Sequence, residues 1–239
     1  PVQVQHRQGD GAHILDGWLL RPACQDMDNA PRRSTVLVCM HPTKNLDRAP
    51  LVTKLVEGGF HVMVCCSRHA FSESTVLMED CVLDLGAYVR HCRSALGYTH
   101  VVLLGWSDGG SLSCFYQSQA EHPSVSAFPC GAPVDFQGLP SADALLLVAA
   151  HSSRARMLTE SLDPSIALCQ RGEVSDLHYA RFDVYGAGAP QPPFSLEFIK
   201  EYRRAQIQRN HRITKHARDL IAATDRSQCF VVDGTMADL

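Results

Sequence analysis

No apolar run in the 239-residue chain approaches the roughly 18 residues that a membrane-crossing helix needs, so no helical membrane anchor is expected. Charge of one sign is equally scarce. Twenty-two Lys and Arg face 25 Asp and Glu, the net charge is -3 and the pI about 6.5. No global basic field exists to hold nucleic acid or an anionic membrane, so neither is an expected partner. The first eleven residues are polar and lack the apolar core of a secretory signal, which predicts a cytoplasmic location. Pro1 in the place of Met fits either Met removal or a trimmed chain. Internal repeats and low-complexity blocks are absent. With 45% hydrophobic and 20% charged residues, a disordered tail, a collagen-like fibre and a coiled-coil rod are excluded. No cysteines are spaced Cys-x2-Cys, and no His/Cys cluster has zinc-finger spacing. Hence no metal and no cofactor is expected.

Cysteine itself is plentiful, at ten residues. Small secreted domains need disulfides because their cores are small, and a chain of this length does not. The thiols, scattered through apolar and amphipathic stretches, are expected to be mostly reduced and buried.

The order of apolar segments predicts the fold. Residues 2–6 and 13–20 read as two strands joined at Gly9-Asp10-Gly11, a hairpin turn. Residues 35–40 (TVLVCM), 60–66 and 100–106 (HVVLLGW) are near-continuous β-branched and apolar runs, as in strands buried on both faces. Between them lie helical patterns: Pro50 with Leu51, Leu55 and Val56, ended by Gly58-Gly59, and Val82, Leu85, Val89, Cys92 and Leu96, ended by Gly97. A helix is expected over 109–120, and strands over 125–128 and 144–150. This alternation predicts an α/β fold, a mostly parallel sheet with helices on both faces and an N-terminal β-hairpin. After His151 periodicity fades until a long helix capped by Ser195 and running to about residue 222, and 227–232 (SQCFVV) reads as one more strand. The expected organisation is a core over 1–150, a helical cap insertion over 151–226 and a partial last strand over 227–239.

The chemistry concentrates at Gly105-Trp106-Ser107-Asp108-Gly109-Gly110. This is a G-x-S-x-G between a predicted buried strand and a predicted helix. A nucleophilic hydroxyl raised on a sharp strand-to-helix turn needs small neighbours, and Gly105 and Gly109 supply them. The free amides of the following helix point at the same place and favour developing negative charge. The plainer alternative is a glycine-rich helix start with Ser107 as its N-cap.

These features resemble the α/β-hydrolase superfamily over residues 1 to about 150. The likeness is carried by GWSDGG, by His41-Pro42-Thr43 after TVLVCM, and by Glu57-Gly-Gly-Phe-His-Val. Residues 67–72 (SRHAFS) are similar to the family's Arg-Gly-His-Gly-x-Ser loop without its glycines. The resemblance implies a serine hydrolase acting on an ester, thioester or related acyl bond of a small molecule. Ser107 would be the nucleophile, and the backbone amides of Asp108 and Thr43 the oxyanion hole; Pro42 has no N–H to offer. GWSDGG is also similar to the elbow of certain α-amino-acid ester hydrolases, in which the acid after the serine is linked to binding a substrate amine. On that likeness Asp108 would face an amine.

A triad of this type needs an acid and then a histidine downstream. Asp238 is a candidate acid, and no residues follow to supply the final strand and histidine. Among His122, His151, His178, His211 and His216, His151 follows a predicted strand end and is the best placed. His211 and His216 lie about 140° apart on a helix and make no metal pair. Two explanations fit: an incomplete hydrolase, or a divergent member that keeps the fold as a non-catalytic binding protein. Residues 157–166 (MLTESLDPSI) and the helix over 194–222 further resemble bacterial and fungal hydrolase-like proteins with a large insertion before the acid. In that case Asp238 is not the acid. The helix is basic, with Arg203, Arg204, Arg209, Arg212 and Lys215. It reads as a solvated face, an anionic-substrate cap, or a nucleic-acid or membrane contact, and the solvated face agrees best with the negative net charge.

Overall fold

The computed structural model describes residues 1–8, 11–23, 34–165, 181–186 and 189–223. The chain forms two compact units, Pro1–Arg154 and Ala155–Leu239.

The first unit is built on a six-stranded sheet. In chain order the elements are β1 (Val2–Gln8), β2 (Gly11–Leu20), β3 (Thr35–His41), α1 (Pro50–Glu57), β4 (His61–Cys66), α2 (Met78–Ser94), β5 (His100–Trp106), α3 (Asp108–Glu121) and β6 (Ala144–Val148). The spatial order is β1-β2-β4-β3-β5-β6. β1 pairs antiparallel with β2, and β2 antiparallel with β4, whereas β3 lies parallel to both β4 and β5, and β5 parallel to β6. The α/β architecture with its N-terminal hairpin is therefore present.

Strand alternation divides the core between the two faces of the sheet. Val36, Val38 and Met40 of β3 point to the face covered by α2 and α3, with Leu85, Tyr88, Leu112 and Tyr116. Leu37 and Cys39, one register step away, point to the other face, where Val52 and Leu55 of α1 cover them. Pro50 starts α1 at a position that needs no N–H donor. Glu79 and Asp80 in the first turn of α2, and His91 and Arg93 in its last, complement the helix dipole.

Two expectations are corrected. Residues 125–128 form no strand; only an Ala127–Pro133 bridge is present. Phe128 donates to the Ala132 carbonyl and Val134 to that of Ser126, so the segment folds on itself between prolines that have no N–H for a ladder. The strand expected over 144–150 ends at Val148, because Ala149 turns to φ 45°. Among the described residues β6 forms the sheet edge, and Leu145, Leu146 and Leu147 are partly exposed.

The loops after β3 and β4 are tied together. Ser67 Oγ donates to the Pro42 carbonyl at 2.5 Å, and the Phe71 N–H donates to the Thr43 carbonyl at 2.7 Å. Phe71 takes φ 68°, the left-handed conformation for which glycine is the usual choice. Beneath this loop, Arg68 holds the wholly buried Asp84 through its main-chain N–H at 2.8 Å and its guanidinium at 2.6 Å. Asp80 lies 3.3 Å from the same guanidinium and 3.0 Å from His69 Nε2.

Of the described cysteines, Cys39, Cys65, Cys66, Cys81 and Cys92 are buried and free, whereas Cys114 and Cys130 are free and exposed. Most of the described thiols are thus buried, as expected, with Cys114 and Cys130 the exceptions.

In the second unit, α4 (Arg154–Ser161, whose first residue closes the first unit) precedes α5 (Leu196–Ala223). Ser195 Oγ accepts the Phe198 N–H at 3.1 Å, the cap expected for this helix. Phe182, Phe198 and Tyr202 cluster with ring centroids about 6 Å apart. The buried Gln206 donates to the carbonyls of Glu160 and Leu162. Most of α5 is exposed, Arg203, Arg204 and Arg212 among it, whereas Arg209 is half-buried and donates to the Asp163 carbonyl. The expected strand over 227–232, Asp238 and His178 lie outside the described residues. Among the described residues no helix is long and apolar enough to cross a membrane.

Asp84→Asn leaves the Arg68 guanidinium short of its buried counter-charge. It is expected to lower unfolding free energy by about 3 kcal/mol, read from urea-denaturation midpoints.

Candidate active site

β5 ends at Trp106 and α3 begins at Asp108, so Ser107 alone makes the turn. It takes φ 56°, ψ -126°, a conformation that costs a non-glycine residue roughly 1–3 kcal/mol and persists only where the surroundings over-determine it. Here they do. The Ser107 N–H donates to the Val148 carbonyl at 3.4 Å, and the Ser107 carbonyl accepts the N–H of Gly110 at 3.0 Å and of His151 at 2.9 Å.

Close packing supplies the rest of the constraint. A Cβ on Gly105 would lie 2.6 Å from Gly110 Cα, and one on Gly109 would lie 2.5 Å from the Met40 carbonyl oxygen. A Cβ on Gly110 would overlap the Ala150 side chain. The start of α3 is thus pressed against the ends of β3 and β6. Gly110 is a requirement that the G-x-S-x-G pattern does not express, because its neighbour comes from β6.

Ser107 occupies the N-cap position, yet its hydroxyl makes no capping hydrogen bond, so the plain capping alternative is not realised. The Asp108 N–H is the first of the helix and has no intrahelical carbonyl to reach. The nearby Cys81 thiol, whose Sγ lies 3.9 Å from the Pro42 carbonyl, is pushed up to about 12 by burial and is no competing nucleophile.

The Asp108 carboxylate is fully engaged. One oxygen lies 2.6 Å from His151 Nδ1 and the other 2.7 Å from an Arg154 guanidinium nitrogen. Burial alone would raise its pKa, but the His151 hydrogen bond and the Arg154 charge prevail and hold it below the usual carboxylate value. An amine-binding role for Asp108 is therefore not supported, because cationic and N–H donors of the chain already take both oxygens. Arg154 carries no motif in the sequence and enters through the fold alone.

His41 is the last residue of β3 and Thr43 lies on the loop that follows, both buried. The Thr43 N–H donates to His41 Nδ1 at 3.2 Å and the Lys44 N–H to the same atom at 3.1 Å. Two donors on Nδ1 require the neutral tautomer with its proton on Nε2. Burial, chiefly, lowers the His41 pKa to about 4; Lys44 and Arg154 act in the same direction, while Asp108 and Glu73 oppose it. Among the described residues no group of three or more His, Cys, Asp and Glu side chains is placed to hold a metal ion.

No family model matches the chain, and no curated protein is similar to it. Solved structures similar to it include a thermophilic esterase from Thermogutta terrifontis, at 18% identity and TM-score 0.37 over 66% of this chain and 50% of that one. An esterase from Exiguobacterium antarcticum shows 16% identity and TM-score 0.38 over 69% of this chain and 58% of that one. An α/β serine hydrolase without lid from Xanthomonas campestris shows 16% identity and TM-score 0.35 over 61% and 69%. The chain spans 50% and 58% of the two esterases, and at these scores no residue's role is carried across.

His41 makes stability pH-dependent. Its folded pKa of about 4 lies below the ordinary 6.5, so the unfolded chain takes up the proton first as pH falls. Its contribution is complete above about pH 6.5 and is lost progressively towards pH 4, in total about 3 kcal/mol. Urea denaturation at pH 7 and pH 4.5 is expected to show this loss, and His41→Gln is expected to flatten it.

Proposed function

We propose that this chain forms a serine hydrolase core that cleaves an ester, thioester or related acyl bond of a small molecule through an acyl-enzyme on Ser107. The observation that carries the reading is the Ser107 conformation. An unfavourable backbone, enforced by three glycine contacts and three backbone hydrogen bonds, presents a hydroxyl that performs no capping. Strain of this kind is maintained where it places a reacting group.

The steps follow from the geometry. Ser107 Oγ attacks the acyl carbon, and the carbonyl electron pair moves onto oxygen. That oxyanion develops at the N-terminus of α3, where the Asp108 N–H donates to it and the helix dipole favours it. The Thr43 N–H is the second donor. It now rests on His41 Nδ1, an acceptor it shares with Lys44, so turning to an oxyanion leaves His41 still held. Collapse expels the leaving group, which takes up the proton given up by the Ser107 hydroxyl and departs as alcohol or thiol, and water then releases the acid and restores the hydroxyl proton. If another nucleophile reaches the acyl-enzyme first, the same core performs acyl transfer.

A fold retained for ligand binding without catalysis is the second reading. It is favoured by the absence, among the described residues, of a capping or histidine hydrogen bond to the Ser107 hydroxyl.

Incubation with a fluorophosphonate probe is expected to label wild-type protein on Ser107, with peptide mass mapping locating the adduct and Ser107→Ala abolishing it. Failure to label folded wild-type protein favours the binding reading. Ser107→Gly is expected to abolish labelling and, by relieving the backbone, to raise unfolding free energy by up to about 1 kcal/mol.

A further inference from the structure

His151, the best-placed histidine of the sequence, lies beside the elbow and is held by Asp108. We infer that His151 is the general base for Ser107, held in position by Asp108, the residue that directly follows the nucleophile. The inference rests on the reading of Ser107 as nucleophile.

Three observations converge on it. First, the His151 backbone is fixed to the nucleophile, since its N–H donates to the Ser107 carbonyl at 2.9 Å while the Ser107 N–H donates to Val148 at 3.4 Å. The end of β6 thus brackets the elbow, and the turn at Ala149, φ 45°, brings His151 back onto it. Second, the ring has a defined tautomer. Asp108 Oδ1 lies 2.6 Å from Nδ1, and an ionised carboxylate only accepts, so Nδ1 carries the proton and Nε2 presents a lone pair. Third, that lone pair is available. The His151 side chain is 31% exposed, and Nε2 has no hydrogen bond among the described residues. His41 cannot serve instead, because its Nδ1 accepts two amides and its Nε2 already carries a proton.

Arg154 completes the arrangement at 2.7 Å from the second Asp108 oxygen. It keeps the carboxylate ionised and its free rotation blocked, so Oδ1 stays directed at His151. Asp108 and Arg154 are positioning residues; His151 is the group that takes the proton.

In the reaction, the Ser107 Oγ–H bond breaks as the Oγ–acyl bond forms, and the proton passes to His151 Nε2. The resulting imidazolium is stabilised by Asp108. It returns the proton to the departing alkoxide or thiolate as the acyl–leaving group bond breaks. In the second half, water gives its proton to Nε2 as it attacks the acyl carbon, and Nε2 returns it to Ser107 Oγ. No other co-reactant is needed. The arrangement takes acid and nucleophile from adjacent residues, so one strand-to-helix corner and the end of one neighbouring strand supply the whole set.

The test measures the fluorophosphonate labelling rate of the full chain against pH. Wild type is expected to follow a single titration and reach a plateau. His151→Ala is expected to label at least about 100-fold more slowly and to lose the titration, with added imidazole restoring part of the rate. His151→Asn retains a donor for Asp108 but has no base, and is expected to be equally slow while folding normally by circular dichroism. Asp108→Asn removes the carboxylate that fixes the ring tautomer and is expected to slow labelling across the pH range. If His151→Ala and His151→Asn label at the wild-type rate, or more slowly with an unchanged pH profile, His151 is not the base although Ser107 remains the nucleophile. If folded wild-type protein does not label at all, both readings fall.

Discussion

The contact on which the site depends is the absence of space between the first turn of α3 and the strand ends beneath it. Gly105, Gly109 and Gly110 face one another, the Met40 carbonyl and Ala150 at separations that no Cβ tolerates. This contact lets the helix begin one residue after β5 ends, and so forces Ser107 into a backbone conformation it would not choose. Add one methyl group to any of the three and the helix must move away, relaxing the corner and withdrawing the amides from it.

Charge at this corner is arranged as carefully as volume. Asp108 is the first residue of α3, where an acid is favoured by the dipole, and it is held by His151 and Arg154 of the segment that follows β6. His41 is kept neutral by burial and by two amides on Nδ1. The two histidines near Asp108 therefore have opposite arrangements. His41 has its proton on Nε2, whereas His151 has its proton on Nδ1 and its lone pair outward. The same side chain can donate in one place and accept in another because the partner of one ring nitrogen decides the state of the second.

Support for the corner comes from the loops after β3 and β4. Ser67 and Phe71 bind the loop carrying Pro42 and Thr43, and Arg68 anchors this assembly to α2 through the buried Asp84. A buried pair of this kind adds little net stability over an apolar substitute, but it allows only one docking of loop on helix. Phe71 at φ 68° shows that the loop achieves its turn without the glycines of the Arg-Gly-His-Gly-x-Ser pattern, at the cost of local strain.

The strands and helices of the first unit were legible in the sequence because period-2 and helical patterns are local, and because Pro50, Gly59 and Gly97 begin or follow elements by their own backbone geometry. Residues 125–128 misled for the same reason: four apolar-rich residues carry a strand signal, and the prolines that prevent ladder pairing act from outside the window. Ser107 was legible too, since glycines at fixed offsets express a steric need within one turn. The need for Gly110, the pairing of Asp108 with His151 and Arg154, and the tautomer of His41 were not. Each depends on atoms that β6 or the loop after β3 brings to the elbow, and no local pattern encodes which distant side chain will arrive there. The residue types and the corner were thus determined by sequence, through short-range sterics; which nitrogen holds a proton, and which carboxylate faces it, was decided only when the strands lay side by side.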